Sequence, residues 1–381
     1  MHFNHTGSSR HRDREQGGEM DNVDHPPGSC TARHPGQRPV WISTRAGNAM
    51  SKTRTMVVCL VVGLAVVLLS AAPASATFPG KNGAIAFSFL PGPTNFGSDN
   101  FEIYTIIPGE EPTALPPQNP RKDNWPDWSP DGRQIVWWHQ WPAGNLDVYR
   151  MNADGSGQTN LTAENPGADV NAAWSPDGTE IVLYSNYQTE TGFSEIQVMD
   201  AGGTFWRQLT HNGPDFDNFG QFSPDGKRIA FTHGSATGED SAIYTMDATD
   251  GGNLVKLTPD SMLAFTPDWS PDGKRIVFVN SSCDACAPAQ DIWIMDADGG
   301  NLTGLTNTPT ELEFRPGFSP DGRKITFSSI PLTAEHPDGS LPADIFVMNV
   351  NSRGTTNITN TPTFNERASD WGARTFPSED G

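Results

Sequence analysis

Asp123, Asp169, Asp217, Glu313 and Glu366 each stand five residues before an aromatic residue, and Ala264 holds the same place before Trp269. Five acids in six equivalent positions invite an electrostatic reading. Gathered by the fold around one opening, they would focus negative potential there and attract a cation, an ammonium group or a basic side chain of a partner. The plainer alternative is that each carboxylate caps a local turn or keeps a rim hydrated, as Asp does in turn regions generally. Trp125, Phe219, Phe265 and Phe314 lie beside the acids. They offer apolar area for a protein contact or, equally, packing between structural repeats.

Catalytic chemistry finds less support. His139 and His233 occupy equivalent places, four residues after Ile135 and Ile229. A His among carboxylates there could act as a general base or a metal ligand, the alternative being two loop histidines. Asp296-Ala297-Asp298-Gly299 resembles the start of a calcium loop but lacks the Glu that completes one, so it reads as a hairpin turn and no metal is assigned. Cys283 and Cys286 read as a short-loop disulfide of an exported protein, since zinc needs four ligands and thioredoxin-like chemistry a βαβ setting. The stretch Gly234-Ser235-Ala236-Thr237-Gly238 puts its Ser one position too early for a nucleophile elbow. No cofactor is expected.

The elements that must position these residues come from a repeat. Pro267-Asp268-Trp269-Ser270-Pro271-Asp272-Gly273-Lys274-Arg275-Ile276-Val277-Phe278 has close copies along the chain, aligned at Ile85, Ile135, Ile181, Ile229, Ile276 and Ile325. Ser-Pro-Asp-Gly is a tight hairpin turn: Pro presets φ, Asp caps its own backbone and Gly accepts φ > 0. In each copy an apolar strand leaves the turn. A third, Ile-rich strand follows, as in Asp291-Ile292-Trp293-Ile294-Met295, then a Gly/Asp turn and a short outer strand.

Four strands per unit at this period predict an all-β fold, a six-bladed β-propeller with four-stranded antiparallel blades. The first unit begins at its second strand, Gly83 to Phe87, whereas a spare inner strand, Ala368 to Gly372, follows the last unit. That C-terminal strand is expected to enter the first blade and close the ring, leaving no long free edge. The variable loops then share a face with the acids, and the Ser-Pro-Asp-Gly turns occupy the other. Function is expected on the variable face.

Trp-Ser-Pro-Asp-Gly-(Lys/Arg)-x-Ile-x-Phe, followed by Met-Asp-Ala-Asp-Gly-Gly and Asn-Leu-x-x-Leu-Thr, resembles the WD40-like Pro-Asp repeat of TolB-type propellers. The resemblance implies a partner segment held at the channel mouth, around Asp123, Asp169, Asp217, Glu313, Glu366, Trp125 and Phe219. TolB itself carries an α/β domain before its propeller, for which this sequence leaves no space between Thr77 and the first strand.

Residues 56 to 69 form an apolar run preceded by Lys52 and Arg54 and followed by Ala74-Ser75-Ala76. This is the pattern of a secretory signal peptide cleaved after Ala76, with Met50 as the start; an uncleaved anchor is the rival. The expected divisions are a disordered or mispredicted extension at 1–49, a signal peptide at 50–76, the propeller at 77–372 and a flexible tail at 373–381. Beyond residue 76 the chain has 17 Lys and Arg against 40 Asp and Glu, a net charge of −23. Such acidity repels nucleic acid and anionic lipid and favours basic partners or cations.

These features predict an extracytoplasmic, monomeric, non-catalytic propeller that binds a protein or peptide at an acidic channel mouth. A metal-assisted lyase or hydrolase and a Tol-Pal-like envelope component are the alternatives.

Overall fold

The computed structural model describes residues 79–374 apart from 91–100, 117–121, 142–143, 188, 190–192, 194, 205, 236–239, 282–288, 334–340 and 362–363, and every regular element in them is a strand. The extension, the signal peptide and the cysteine pair Cys283 and Cys286 lie outside the described residues.

Consecutive apolar residues on the repeat strands, as in Ile135-Val136-Trp137, put apolar side chains on both faces of each small sheet, so each sheet must pack on two neighbours. The first holds β1 (Asn82–Leu90), β2 (Glu102–Ile106) and β3 (Thr113–Ala114). The second holds β4 (Lys122–Trp128), β5 (Gln134–Gln140), β6 (Leu146–Asn152) and β7 (Thr159–Asn160). The third holds β8 (Asp169–Trp174), β9 (Glu180–Ser185), β10 (Glu195–Asp200) and β11 (Trp206–Gln208). In the fourth are β12 (Phe216–Phe222), β13 (Arg228–Gly234), β14 (Ser241–Asp247) and β15 (Val255–Lys256). The fifth comprises β16 (Leu263–Trp269), β17 (Arg275–Ser281), β18 (Gln290–Asp296) and β19 (Thr303–Gly304). The sixth comprises β20 (Glu311–Phe318), β21 (Lys324–Pro331), β22 (Asp344–Asn349) and β23 (Thr355–Asn357). Finally β24 (Asn365–Ala373) pairs antiparallel with β1, Glu366 opposite Phe89 and Trp371 opposite Ile85.

The hairpin turns are built as their sequence requires. In the second blade the Gly132 N–H donates to the Ser129 carbonyl at 2.8 Å, and Gly132 takes φ of 66°. Asp131 Oδ1 accepts from the Ser129 hydroxyl at 2.7 Å and the Arg133 N–H at 3.0 Å. The same bonds recur at Asp177, Asp225, Asp272 and Asp321. Glycine is needed for another reason in the outer turns: a Cβ on Gly251 would lie 2.1 Å from the Leu209 carbonyl oxygen of the preceding blade.

The core is six clusters, each shared by two neighbouring blades. Ile135 and Trp137 pack on Ala86 and Ile103 of the first blade, whereas Val136, pointing the other way, packs on Trp174 and Ile181 of the third. The cluster of Ile85, Phe87 and Trp371 with Ile345 and Val347 joins the first blade to the sixth. β24 thus completes the first sheet and also packs against β4, β20 and β21. Pairing continues past the expected boundary at 372, since the Arg374 N–H donates to the Lys81 carbonyl at 2.7 Å.

Candidate partner-binding site at the channel axis

Each acid of the row begins an inner strand, and its side chain points into the face between blades. Asp169, Asp217 and Glu366 are fully buried, Glu313 nearly so, and Asp123 is 8% exposed. Asp123 Oδ1 lies 2.6 Å from His139 Nδ1 and accepts from Trp137 Nε1 at 3.0 Å. Asp217 Oδ1 lies 2.7 Å from His233 Nδ1, and its Oδ2 accepts from Asn212 Nδ2 at 2.7 Å. Asp169 accepts from Ser185 and Asn165, Glu313 from Thr306 and Thr308, and Glu366 from Thr361. The expectation of an open ring of charge is therefore corrected: these carboxylates are enclosed and hydrogen-bonded inside the blades. Burial pushes Glu313 up to about 7 and Glu366 up to about 8, so the charge itself is diminished near neutral pH.

The reason is a β-bulge in the inner strands. Register slips between Asn124 and Asp127, Val170 and Ala173, Asn218 and Gln221, Phe265 and Asp268, and Phe314 and Gly317. Residues five apart on a regular strand face opposite ways; one extra residue restores the acid and its aromatic to one face. Ala264 and Trp269 accordingly share a single cluster. The residue two after the acid, or after Ala264 in the fifth blade, takes a left-handed backbone in five blades, with φ of 59° at Trp125, 55° at Asn171 and Phe219, 50° at Thr266 and 51° at Arg315. Bulky side chains adopt this conformation only where the surroundings impose it. Neighbouring hydroxyls help: the Trp125 N–H donates to Ser88 Oγ at 3.1 Å and the Thr266 N–H to Thr232 Oγ1 at 3.1 Å.

These left-handed residues meet across the axis. Trp125 of the second blade lies 5.0 Å from the Phe219 ring of the fourth, and the Arg315 guanidinium of the sixth sits 4.2 Å from the Trp125 ring centre. Three alternate blades thus contribute one contact set, an aromatic pair under a cation. Around it is a depression of about 290 Å³, lined by Trp125, Phe219, Phe265, Phe314, Arg315 and Arg367 among others. Trp125 and Phe219, from two separate blades, are brought together in this depression.

Two residues farther along the inner strands lies a second layer, Asp127, Asp268 and Asp370, which with Arg315 line a small cavity of about 40 Å³. Each bonds the next blade. Asp127 Oδ2 accepts from the Trp174 N–H at 2.9 Å, Asp268 Oδ2 from Phe318 at 2.7 Å, and Asp370 Oδ2 from Trp128 at 2.8 Å. Burial and the neighbouring carboxylates raise Asp127 well above its usual range; burial raises Asp370 to about 6. Burial lowers Arg315 to about 10, opposed by these three carboxylates, which leaves it charged at neutral pH. Arg315 and this layer were not singled out by sequence; the only signal was the recurrence of Asp just before Trp128, Trp269 and Trp371.

Among the described residues no group of three or more His, Cys, Asp or Glu could hold a metal ion, and no helix is long and apolar enough to cross a membrane.

Small antiparallel sheets packed face to face, with the last strand β24 paired to the first sheet, give the chain the all-β fold of a β-propeller. Residues 187–335 match the family described as TolB beta propeller domain. The fold is similar to TolB from Acinetobacter baumannii, at 21% identity and a TM-score of 0.62, over 78% of this chain and 68% of that one. It is similar also to a putative TolB from Agrobacterium tumefaciens, at 20% identity and a TM-score of 0.53, over 77% of this chain and 99% of that one. A chain of a nidogen/laminin complex superposes with a TM-score of 0.58 at 12% identity, over 77% of this chain and all of that one. No curated protein matches the chain. At these identities the likeness to solved structures is one of fold.

Proposed function

We propose that the protein is an exported, non-catalytic β-propeller that binds a protein partner at the mouth of its channel, through Trp125, Phe219 and the side chains around them. The observation that carries this reading is the axial contact set itself. Four aromatic side chains, each at or next to a left-handed residue of a bulge, line one depression on the variable-loop side, where a rigid scaffold presents function. Asp123, Asp169, Asp217, Glu313 and Glu366 serve that surface from behind, fixing the inner strands. Export follows from the apolar run at 56–69 and suits a TolB-type propeller.

The test is capture from a secreted or envelope extract with the exported protein and its Trp125→Ala/Phe219→Ala variant, with circular dichroism to show that both are folded. Loss of a specific partner from the folded variant is the expected result. Equal capture would remove the reading.

A second, enzymatic reading is favoured by one observation, the pairing of His139 and His233 with buried carboxylates in two blades. The bond to Asp217 raises His233 against the opposing effect of its burial. A thermal shift series across divalent metals, with and without His139 and His233, tests it; a flat response excludes a metal-assisted form.

A further inference from the structure

We propose that the axial depression holds the C-terminal residue of a partner chain, its large apolar side chain against the aromatic wall and its terminal carboxylate on Arg315. This deepens the channel-mouth reading and rests on it.

The polar groups of the depression are one-sided. Thr266, Gln290, Arg315 and Arg367 line it together with Trp125, Phe219, Phe265 and Phe314, and no carboxylate is among the lining residues. In a chain of net charge −20 that is a local reversal. Two buried polar atoms there, Arg315 Nη1 and Thr266 Oγ1, have no hydrogen-bond partner among the described residues. An unsatisfied guanidinium nitrogen at an aromatic wall calls for an acceptor, and a carboxylate is the strongest one.

The acids that face Arg315 from the other side are already committed. Asp127, Asp268 and Asp370, which line the small cavity with Arg315, each accept a main-chain N–H of the next blade. The overall negative charge does not decide the contact, because charges beyond about 8 Å are screened at physiological ionic strength.

Size and geometry select a chain terminus. About 290 Å³ admits one large side chain with the groups attached to its own Cα. In an extended segment an acidic residue next to an apolar one points to the opposite side, so both cannot enter together. A terminal residue carries its carboxylate and its side chain on the same carbon.

The test uses fluorescence anisotropy of a labelled pentapeptide, Gly-Ser-Gly-Ser-Phe, as free acid and as C-terminal amide, titrated with the unaltered exported protein. The free acid is expected to bind at least about tenfold more tightly than the amide, as a charge-assisted bond of about 1.4 kcal/mol or more requires. Arg315→Gln, checked for folding, is expected to bring the acid down to the amide. Equal binding of acid and amide by the unaltered protein, or no binding of either, overturns the terminal-carboxylate proposal. If neither peptide binds while partner capture still depends on Trp125 and Phe219, this proposal falls and the channel-mouth reading stands. If capture is also indifferent to those residues, both fall.

Discussion

Arg315 lies with its guanidinium 4.2 Å from the ring centre of Trp125, although the two belong to the sixth and second blades and are 190 positions apart in sequence. Their meeting ties alternate blades together at the axis. It also places the one arginine of the cavity between an aromatic wall and three carboxylates.

Replacing Arg315 by Gln removes the cation from Asp127, Asp268 and Asp370 and leaves buried carboxylates facing one another. The variant is expected to lose roughly 3 kcal/mol of stability at pH 8. The loss should be smaller at pH 5, because burial holds Asp370 protonated up to about 6 and Asp127 higher than usual. Urea unfolding at the two pH values checks both statements; an equal loss at both would contradict the assigned role.

Asp268 connects the fifth blade to the sixth through the Phe318 N–H, at 2.7 Å. Asp268→Ala leaves that buried donor unpaired and is expected to cost about 1–3 kcal/mol. Asp268→Asn keeps an acceptor oxygen and relieves repulsion with Asp127, so its cost should be clearly smaller. The ranking is measured by urea unfolding, and equal costs for the two variants would show that the main-chain bond contributes nothing.

Stability is expected to fall as pH rises from about 5 to about 8.5. In the unfolded chain carboxyls titrate near 4. In the folded chain burial keeps Asp370, Glu313 and Glu366 protonated to about 6, 7 and 8, so the folded state binds more protons across that window and loses stability with rising pH. His233 acts in the same direction: the bond to Asp217 raises it, so its contribution is complete below about 6.5 and disappears as pH rises through the raised value. At the acid end, despite the cost of burial, the turn bonds hold Asp177, Asp225, Asp272 and Asp321 low, and their contribution is lost as pH falls below about 4. Thermal melts should show a Tm about 5 °C or more higher at pH 5 than at pH 8.5. A flat or opposite trend would contradict the burial of these acids.

Glu366→Gln isolates one member of that set. Glu366 Oε2 is buried and has no hydrogen-bond partner among the described residues, while Asp344 stands near enough to favour the protonated form. The amide removes the buried charge and can donate toward Asp344. Tm is expected to rise at pH 8.5 and to change little at pH 5; a fall at pH 8.5 would mean that the ionised carboxylate is stabilising.

The row of acids shows where sequence reading stops. Its periodicity was plain, and it located the start of the inner strands of five blades. Five acids in equivalent places at the start of inner strands suggested a charged rim around the channel mouth. The bulge reverses that, and nothing in Asn124-Trp125-Pro126 or Asn218-Phe219-Gly220 announces a left-handed residue at Trp125 or Phe219. The contact of Trp125, Phe219 and Arg315 is equally hidden, since it joins residues of three separate repeats.

By itself the sequence determined the repeat, the Ser-Pro-Asp-Gly turns, the all-β class and the return of the last strand to the first sheet. Each of these follows from local chemistry: turn residues at fixed spacing, alternation along strands, and a spare strand at one end matching a missing one at the other. Only the tertiary structure decided that the acids are buried, that the axis is occupied by an arginine over an indole, and that Asp127, Asp268 and Asp370 bond one blade to the next. Those outcomes depend on a one-residue slip in register and on which side chains converge at the axis, and both are set by the packing of all the blades together.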